Sequence, residues 1–488
     1  MAESLVSVGI DLGTTTTQII FSRLTMENVA GAASVPRIRI VEKEIVHQGE
    51  IRFTPLLGPA VIDAEGVLRI VEEEYRLAGF KPADVSAGAV IITGETARKE
   101  NSQAVLRTLS GLAGDFVVAT AGSDLESILA GRGAGTAEMS KNAPGRALAN
   151  LDIGGGTTNT AVFIDGRPAD TSCLDIGGRQ IVVDQATLRL RRVAPKVQKL
   201  AAGLGLRLEE GEPAQLADLT KICERLALIM AQSLGLGLTP ATRAQAEADL
   251  ALFVTAHPLN ELRPLAGLTF SGGVADFVYA DEEPADPFMY GDVGPLLGRA
   301  ARRCEAFQAV PRLRPAETIR ATVVGAGSNS LELSGSTVTV SDPSVLPLKN
   351  LPILKLSPDD EADGCRWFSS RLSEKIAWFK EGETGGYQPL AVAFKGPKNP
   401  SYEEVLFLRD RLLEGLDDYL AGSDLLVVVA EEDLAKSLGL TLKAALPGKT
   451  VIALDSVRVE NGDYIDVGQP VVNGRVVPVV VKTLIFGR

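Results

Sequence analysis

The chain has 488 residues, 49 of them basic and 62 acidic, for a formal net charge of −13 at pH 7. A chain of this length divides into about two to four structural units, and its acidity argues against nucleic acid or an anionic membrane as the main partner. Apolar runs such as 425–430 and 476–481 are strand-sized, far short of the ~20 residues that span a bilayer, so no membrane helix is expected. The four cysteines, Cys173, Cys223, Cys304 and Cys365, are scattered without a C-x-x-C pair and offer no zinc or iron–sulfur ligand set. With only His47 and His257 present, a histidine metal site or a Ser-His-Asp triad has little material, and both residues are expected to be structural. Met1-Ala2-Glu3-Ser4 lacks a basic leader region, so no secretory signal is expected.

In chain order, an apolar strand at Leu5 to Ile10 runs into Gly9-Ile10-Asp11-Leu12-Gly13-Thr14-Thr15-Thr16-Thr17 and leaves through a second apolar strand at Gln18 to Phe21. Glycine lets a backbone approach an anion closely, threonine hydroxyls and free N–H groups donate to phosphate oxygens, and a facing Asp can hold hydrated Mg²⁺. Strands follow at Ile38 to Val46 and Ile51 to Phe53, then a helix over Asp63 to Ala78. Lys81-Pro82-Ala83-Asp84 is a helix-start signal. A strand at Ala87 to Thr93 ends in the polar turn Thr93 to Thr96, which is expected to support the cleft. Lys99 to Ser110 reads as a crossover helix. Phe116 to Ala119 and Gly122 to Gly131 read as a strand and a helix, and Gly131 to Gly145 as a linker.

The pattern then repeats. A strand at Ala147 to Ile153 enters Leu151-Asp152-Ile153-Gly154-Gly155-Gly156-Thr157-Thr158-Asn159-Thr160 and leaves through Ala161 to Ile164. One D-x-G-x-T turn is ordinary hairpin chemistry, but two copies, one in each half of the chain, resemble the paired phosphate loops of the actin, heat-shock chaperone and sugar-kinase ATPase superfamily. That resemblance implies a two-lobed actin-like α/β fold built from duplicated ribonuclease H-like domains. The expected division is 1–145, 146–345 and a C-terminal α/β region at 346–488.

Thr171 to Arg179 carries a Gly-Gly turn, expected to lead into a helix over Gln180 to Leu190, with Arg189, Arg191, Arg192, Lys196 and Lys199 on a solvated face. Ala214 to Leu234 and Ala241 to Ala256 read as helices. Two glycine turns could meet a nucleoside: Gly272-Gly273 after the strand ending at Phe270, and Gly325 to Gly327 after a strand at Ile319 to Val324. The first resembles the superfamily's adenosine loop and is favoured. Gly291 to Leu297 opens another helix. In the C-terminal region, helices are expected at Ser370 to Lys380, Tyr402 to Leu420 and Glu432 to Leu438, and strands at Leu425 to Ala430 and Val451 to Leu454. Leu446-Pro447-Gly448-Lys449-Thr450 imitates a Walker A ending, but Lys443 stands where its first Gly belongs.

Taken with the hairpins, the run Gly325 to Gly335 and the ending Gly474 to Leu484 resemble the ethanolamine ammonia-lyase reactivating factors over essentially the whole chain. The resemblance implies a chaperone-like factor that uses ATP and Mg²⁺ to release damaged cobalamin from ethanolamine ammonia-lyase, so that intact cofactor can rebind. It implies a cytoplasmic location, open to association with a bacterial microcompartment. It also implies that Asp11 and Asp152 position Mg²⁺, and that Gly13, Thr14, Thr15 and Thr16 with Gly154, Gly155, Gly156, Thr157 and Thr158 hold the phosphates. It nominates Glu126 to orient water; the other reading of Glu126 is a carboxylate stabilised by its helix dipole. Thr14 stands where a second Gly is often seen and no Lys follows, which fits a slow, partner-stimulated ATPase. Three alternatives share the fold. They are a small-molecule kinase, for which no catalytic Asp base is evident; an actin-like assembling protein; and an iron–sulfur activator, against which the scattered cysteines weigh.

Overall fold

A computed structural model of the chain describes residues 3–13, 16–28, 38–58, 61–92, 100–110, 117–120, 123–255, 257–329, 331–333, 338–362, 368–379, 387–461, 463–470 and 477–483. The Thr93 to Thr96 turn, Cys365 and the hairpin-tip residues Thr14 and Thr15 lie outside the described residues.

The first sheet is a meander of β1 (Glu3–Leu12), β2 (Thr16–Asn28) and β3 (Ile38–Gln48), with the short β4 (Arg52–Phe53) also paired to β2. A two-stranded hairpin, β5 (Leu56–Gly58) and β6 (Val61–Ile62), leads to helix α1 (Ala64–Ala78). Asp63 starts α1 by accepting from the Gly66 N–H at 2.9 Å, and Gly79 ends it in the left-handed region at φ 75°. Strands β7 (Ala87–Ile92) and β8 (Val117–Thr120), separated by α2 (Ser102–Ser110), add in parallel beside β1, giving the order β3-β2-β1-β7-β8. Alternation along β1 sends Val8, Ile10 and Leu12 into the core against Val67, Val71 and Tyr75 of α1. Gly9 and Asp11 share the opposite face.

Two helices, α3 (Ser123–Gly133) and α4 (Thr136–Ser140), connect to a second sheet. The stretch 131–145 is therefore largely helical, with Gly131 and Gly133 buried. The second sheet repeats the design: β9 (Ala147–Ile153), β10 (Thr158–Ile164) and β11 (Arg167–Leu174) form a meander, and β14 (Leu265–Ser271) runs parallel to β9. The hairpin of β12 (Ile181–Val183) and β13 (Leu190–Val193) precedes helices α5 (Pro195–Gly203), α6 (Leu216–Ser233) and α7 (Arg243–Phe253). Leu151 and Ile153 pack with Ile222, Leu226 and Met230 of α6. The helix expected over Gln180 to Leu190 is this β-hairpin instead: Ile181, Val182 and Val183 are β-branched, and they find a ladder partner. Arg191 and Arg192 are exposed on β13, while Lys196 pairs with Asp175.

After β14 come α8 (Ala275–Tyr279), α9 (Gly294–Arg303), α10 (Glu305–Gln308) and α11 (Ala321–Asn329). The strand expected at Ile319 to Val324 is thus mostly the first turn of α11, and Gly325 and Gly327 are helix residues. This corrects their reading as a glycine turn facing adenine. A Cβ on Gly325 would stand 1.9 Å from the Leu129 carbonyl oxygen of α3, and one on Gly133 would stand 1.8 Å from the Ala321 oxygen. The two helices cross backbone against backbone. Each also packs on the other half: α3 on β9, β10 and β11, and α11 on β1, β2 and β7.

The third region carries an eight-stranded sheet. It is built from β15 (Leu331–Leu333), β16 (Thr339–Val340), β17 (Leu348–Lys355), β18 (Ala391–Phe394), β19 (Leu425–Ala430), β20 (Thr450–Asp455), β21 (Asp463–Val467) and β22 (Pro478–Thr483). Helices α12 (Phe368–Ile376), α13 (Tyr402–Gly415), α14 (Asp417–Gly422) and α15 (Ala435–Ala445) cover it. The Walker-like stretch follows α15, with Lys449 Nζ donating to the Ser423 carbonyl at 2.8 Å, a structural role. The expectation of a two-lobed actin-like α/β fold with an added α/β region therefore holds.

Because no side chain fits at the helix crossing, Gly325→Ala and Gly133→Ala are each expected to cost about 3 kcal/mol or more from overpacking. Urea unfolding checks this; a change under about 0.5 kcal/mol would mean that the crossing tolerates a methyl group.

Candidate functional site

The two hairpins are built alike. Asp11 and Asp152 are buried near the ends of the central strands β1 and β9. Each turn closes through a glycine N–H: Gly13 donates to the Thr16 carbonyl at 2.8 Å, and Gly154 to the Thr157 carbonyl at 2.9 Å. Beyond these, the carbonyls are tied back into the protein. Thr54 Oγ1 donates to the Gly13 oxygen at 2.9 Å. The N–H groups of Gly178 and Arg179 donate to the Gly154 and Gly155 oxygens at 3.0 and 2.7 Å, and Gln180 Nε2 donates to the Gly156 oxygen. Among the described residues, the N–H groups of Gly155, Gly156 and Thr157 meet no protein acceptor. A turn with satisfied carbonyls and spare N–H donors is suited to seat an anion.

Thr158 does not belong to that seat. Its hydroxyl is fully buried and donates to the Ile176 carbonyl at 2.7 Å, which makes it a packing residue and corrects its reading as a phosphate ligand.

Asp152 ends a buried polar chain. Ser271 Oγ donates to its Oδ1 at 2.6 Å, Asn150 Nδ2 to Ser271 at 2.9 Å, and Thr269 Oγ1 to Asn150 Oδ1 at 2.9 Å. Because the Thr269 proton is used in that bond, Thr136 Oγ1 of α4 donates to Thr269 at 2.6 Å. Every donor in this line points toward the carboxylate. Thr322 of α11 bonds it as well. Burial nevertheless dominates and pushes the Asp152 carboxyl up to about 6, against the pull of Ser271 and Thr322.

The N-terminal end of α11 joins the pieces. The Thr318 carbonyl accepts from the Gly272 N–H at 3.0 Å, the Ile319 carbonyl accepts from Gln18 Nε2 at 3.2 Å, and Thr322 reaches Asp152. Gln18 stands directly across the ladder from Asp11. Gly272 needs its φ of 84°, and a Cβ there would lie 2.5 Å from the Ile153 oxygen, so it clamps the loop to the second hairpin. Gly273 is exposed, and a Cβ built there would meet nothing closer than Ile319 at 3.9 Å, so the surface beside it is open. Glu126 lies half-buried in the first turn of α3, beside Asp124, which bonds Thr171 and His257 instead. His47 pairs with the buried Glu74 at 2.8 Å, so both histidines serve structure.

The donor set fits a hydrated divalent cation carried on phosphates. Among the described residues, no group of three or more His, Cys, Asp or Glu could hold a metal by itself. Each Asp does face a buried side-chain amide, Gln18 or Asn159, whose oxygen has no partner in the protein. Two carboxylates and two acceptor oxygens suit the water shell of Mg²⁺. Sequence reasoning missed Gln18, Asn159, Ser271 and Thr322. The signal for the first two was present as an amide at the same offset after the Asp in both hairpins.

Asp152→Asn tests the electrostatics of the ligand-free protein. The folded pKa exceeds the unfolded one, so between about pH 4 and 6 this carboxyl binds more protons in the native state, and its own contribution to stability falls as pH rises through that window. The variant is expected to lack this fall and to exceed wild type at pH 7.5 by an amount on the order of 2 to 3 kcal/mol, read by urea unfolding at pH 4.5 and 7.5. Parallel pH profiles would refute the burial penalty.

Among the described residues, no helix is long and apolar enough to cross a membrane. The family model for "Ethanolamine utilisation protein EutA" matches residues 3–487. The chain is 37% identical over 489 residues to the ethanolamine ammonia-lyase reactivase EutA of Salmonella typhimurium, covering 99% of this chain and 98% of that protein. It is also 37% identical over 487 residues to the same-named protein of Escherichia coli, with the same coverage. Among solved structures, the Aquifex aeolicus PPX-GPPA enzyme aligns with 67% of this chain and 90% of its own, at 16% identity and a TM-score of 0.34. A EutJ from Carboxydothermus hydrogenoformans aligns with 66% of this chain and 89% of its own, at 16% identity and a TM-score of 0.32. By the match along almost its full length, the chain belongs to the EutA family of ethanolamine utilisation proteins.

Proposed function

We propose that this chain is an ATP-dependent reactivating factor for ethanolamine ammonia-lyase, exchanging damaged cobalamin on that enzyme for intact adenosylcobalamin. The partner comes from the activity named for its relatives. The observation that carries the ATP dependence is the matched pair of hairpins, each with a buried carboxylate and a glycine-closed turn, and the second with unspent N–H donors. A triphosphate held by both hairpins bridges the two sheets, so its binding favours one lobe arrangement and its hydrolysis releases that preference.

Asp11 and Asp152, with Gln18 and Asn159, would hold a hydrated Mg²⁺, which neutralises phosphate charge when bound. The N–H groups of Gly155, Gly156 and Thr157 would take phosphate oxygens, with Thr16 in the opposite turn and Gly273 beside the nucleoside; the Gly13 N–H is spent on the Thr16 carbonyl, so Gly13 shapes its turn instead of donating to a phosphate. Hydrolysis adds a water oxygen to the γ-phosphorus as the bridging P–O bond breaks; ADP leaves with the bonding electrons and the water protons pass to the phosphate products and solvent. Glu126 is the proposed acceptor that orients this water. Since Asp152 must be ionised to meet a cation, ATP–Mg²⁺ affinity is expected to fall as pH drops below about 6.

The test is recovery of lyase activity from its inactive hydroxocobalamin complex with free adenosylcobalamin, Mg²⁺ and this protein, with and without ATP. Recovery is expected only with ATP, and Asp11→Ala and Asp152→Ala should each reduce it by at least ~100-fold in a protein that still folds. Recovery without ATP, or full activity in both variants, would sink the assignment.

A further inference from the structure

The half-buried Arg179 sits where an anionic ligand would be reached from both halves of the molecule. Its backbone is locked to the second hairpin. The Arg179 N–H donates to the Gly155 oxygen at 2.7 Å, and Gly177, two residues earlier, runs so close that a Cβ there would lie 2.4 Å from the same oxygen. Its side chain reaches the other half, with the guanidinium carbon 6.0 Å from the centroid of the Phe53 ring. Phe53 is 68% exposed and pairs on the ladder with Thr16, the residue that closes the first hairpin. The guanidinium therefore lies between the surroundings of the two turns and stacks on an aromatic platform that water would otherwise cover.

Its charge is also unspent. Among the described residues, no carboxylate stands within ion-pair distance of Arg179, and its five N–H donors make no hydrogen bond to the protein. Asp292, a carboxyl on which the Arg179 charge acts, is buried and committed to the Gly294 N–H at 2.8 Å. Burial keeps its carboxyl up at about 6 even though the Arg179 charge pulls it down. A planar fork with free donors and no carboxylate, fixed beside a turn of spare N–H groups, is matched to a phosphate.

Resting on the nucleotide reading of the cleft, we propose that Arg179 receives the terminal phosphate of the bound nucleotide, and that Phe53 of the opposite half holds the guanidinium in place. The pair then makes the site distinguish a triphosphate from a diphosphate. Inner phosphates are served by the hairpin N–H groups alone, so removal of the arginine falls on the last phosphate.

The experiment is calorimetric titration of the full-length chain, with Mg²⁺ present, using ATP, ADP and inorganic phosphate on wild type, Arg179→Gln and Phe53→Ala. Arg179→Gln is expected to lose roughly tenfold to a hundredfold in ATP affinity while ADP affinity changes less than about threefold, since one charge-assisted contact is removed. Phe53→Ala, at an exposed position outside the core, is expected to shrink the ATP preference by about threefold. An equal loss for ATP and ADP, or no loss, overturns the proposal; if Arg179→Gln does not fold, an unchanged preference in Phe53→Ala overturns it. Inorganic phosphate bound as tightly as ATP in wild type would make Arg179 a free-phosphate site and overturn the nucleotide assignment of that contact. Wild type that binds none of the three overturns the nucleotide reading itself, whereas wild type that prefers ATP beside an indifferent Arg179→Gln fails Arg179 alone.

Discussion

The crossing of α3 and α11 is the contact on which the rest of the molecule depends. Gly133 and Gly325 let the two backbones meet where any Cβ would collide with a carbonyl. The close approach lets each helix leave its own half and cover the sheet of the other. It also fixes where α11 begins. From that start the Thr318 carbonyl holds the Gly272 loop, the Ile319 carbonyl holds the amide opposite Asp11, and Thr322 holds Asp152. A shift of α11 by even a fraction of an ångström is felt at all three, because packed backbones do not deform continuously.

Electrostatics adds a second constraint. Asp152 is kept in a buried, donor-rich pocket where the empty protein favours its neutral form more than water would. The one-way chain from Thr136 through Thr269, Asn150 and Ser271 stabilises the charge without removing the burial cost. Under the proposed reading, a cation bound beside Asp152 would offset the burial cost of its charge. Its binding would then be coupled to proton loss. The same chain ends on α4, which follows α3 directly, so hydrogen bonds run from Asp152 to the connection between the halves.

Both hairpins were legible because they are local: strand, turn and strand are written in consecutive residues, and duplication separates them from ordinary turns. The family was legible for the same reason, since its signatures are contiguous runs. What failed was decided by distant partners. Thr322, Val323 and Val324 are β-branched and read as strand, yet they lie in a helix because α11 must cross α3 and because the Val323 carbonyl lies where only Gly9 permits it, 2.7 Å from a Cβ built there. The helix expected over Gln180 to Leu190 reverses the error, because Ile181 to Val183 found β-ladder partners in Leu190 to Val193. Gly325 looked like a ligand glycine because a sequence shows that glycine is required but not whether a ligand or a helix presses on it.

The third region follows from the same geometry. Its edge strand β15 starts at Leu331, just past the end of α11 at Asn329, so no long linker separates the crossing helix from the last sheet. β15 also touches β3, and β22 touches β8, both in the first sheet. The third sheet is braced on both faces. One core lies beneath α12, α13 and α15, and the other is lined by Ile353, Val427, Ile452 and Ile465. The third region is therefore tied to α11 and, through β3 and β8, to the first sheet. α11 is thus the element that touches both the strands of the first hairpin and the start of the third sheet, while its Thr322 bonds Asp152 of the second hairpin.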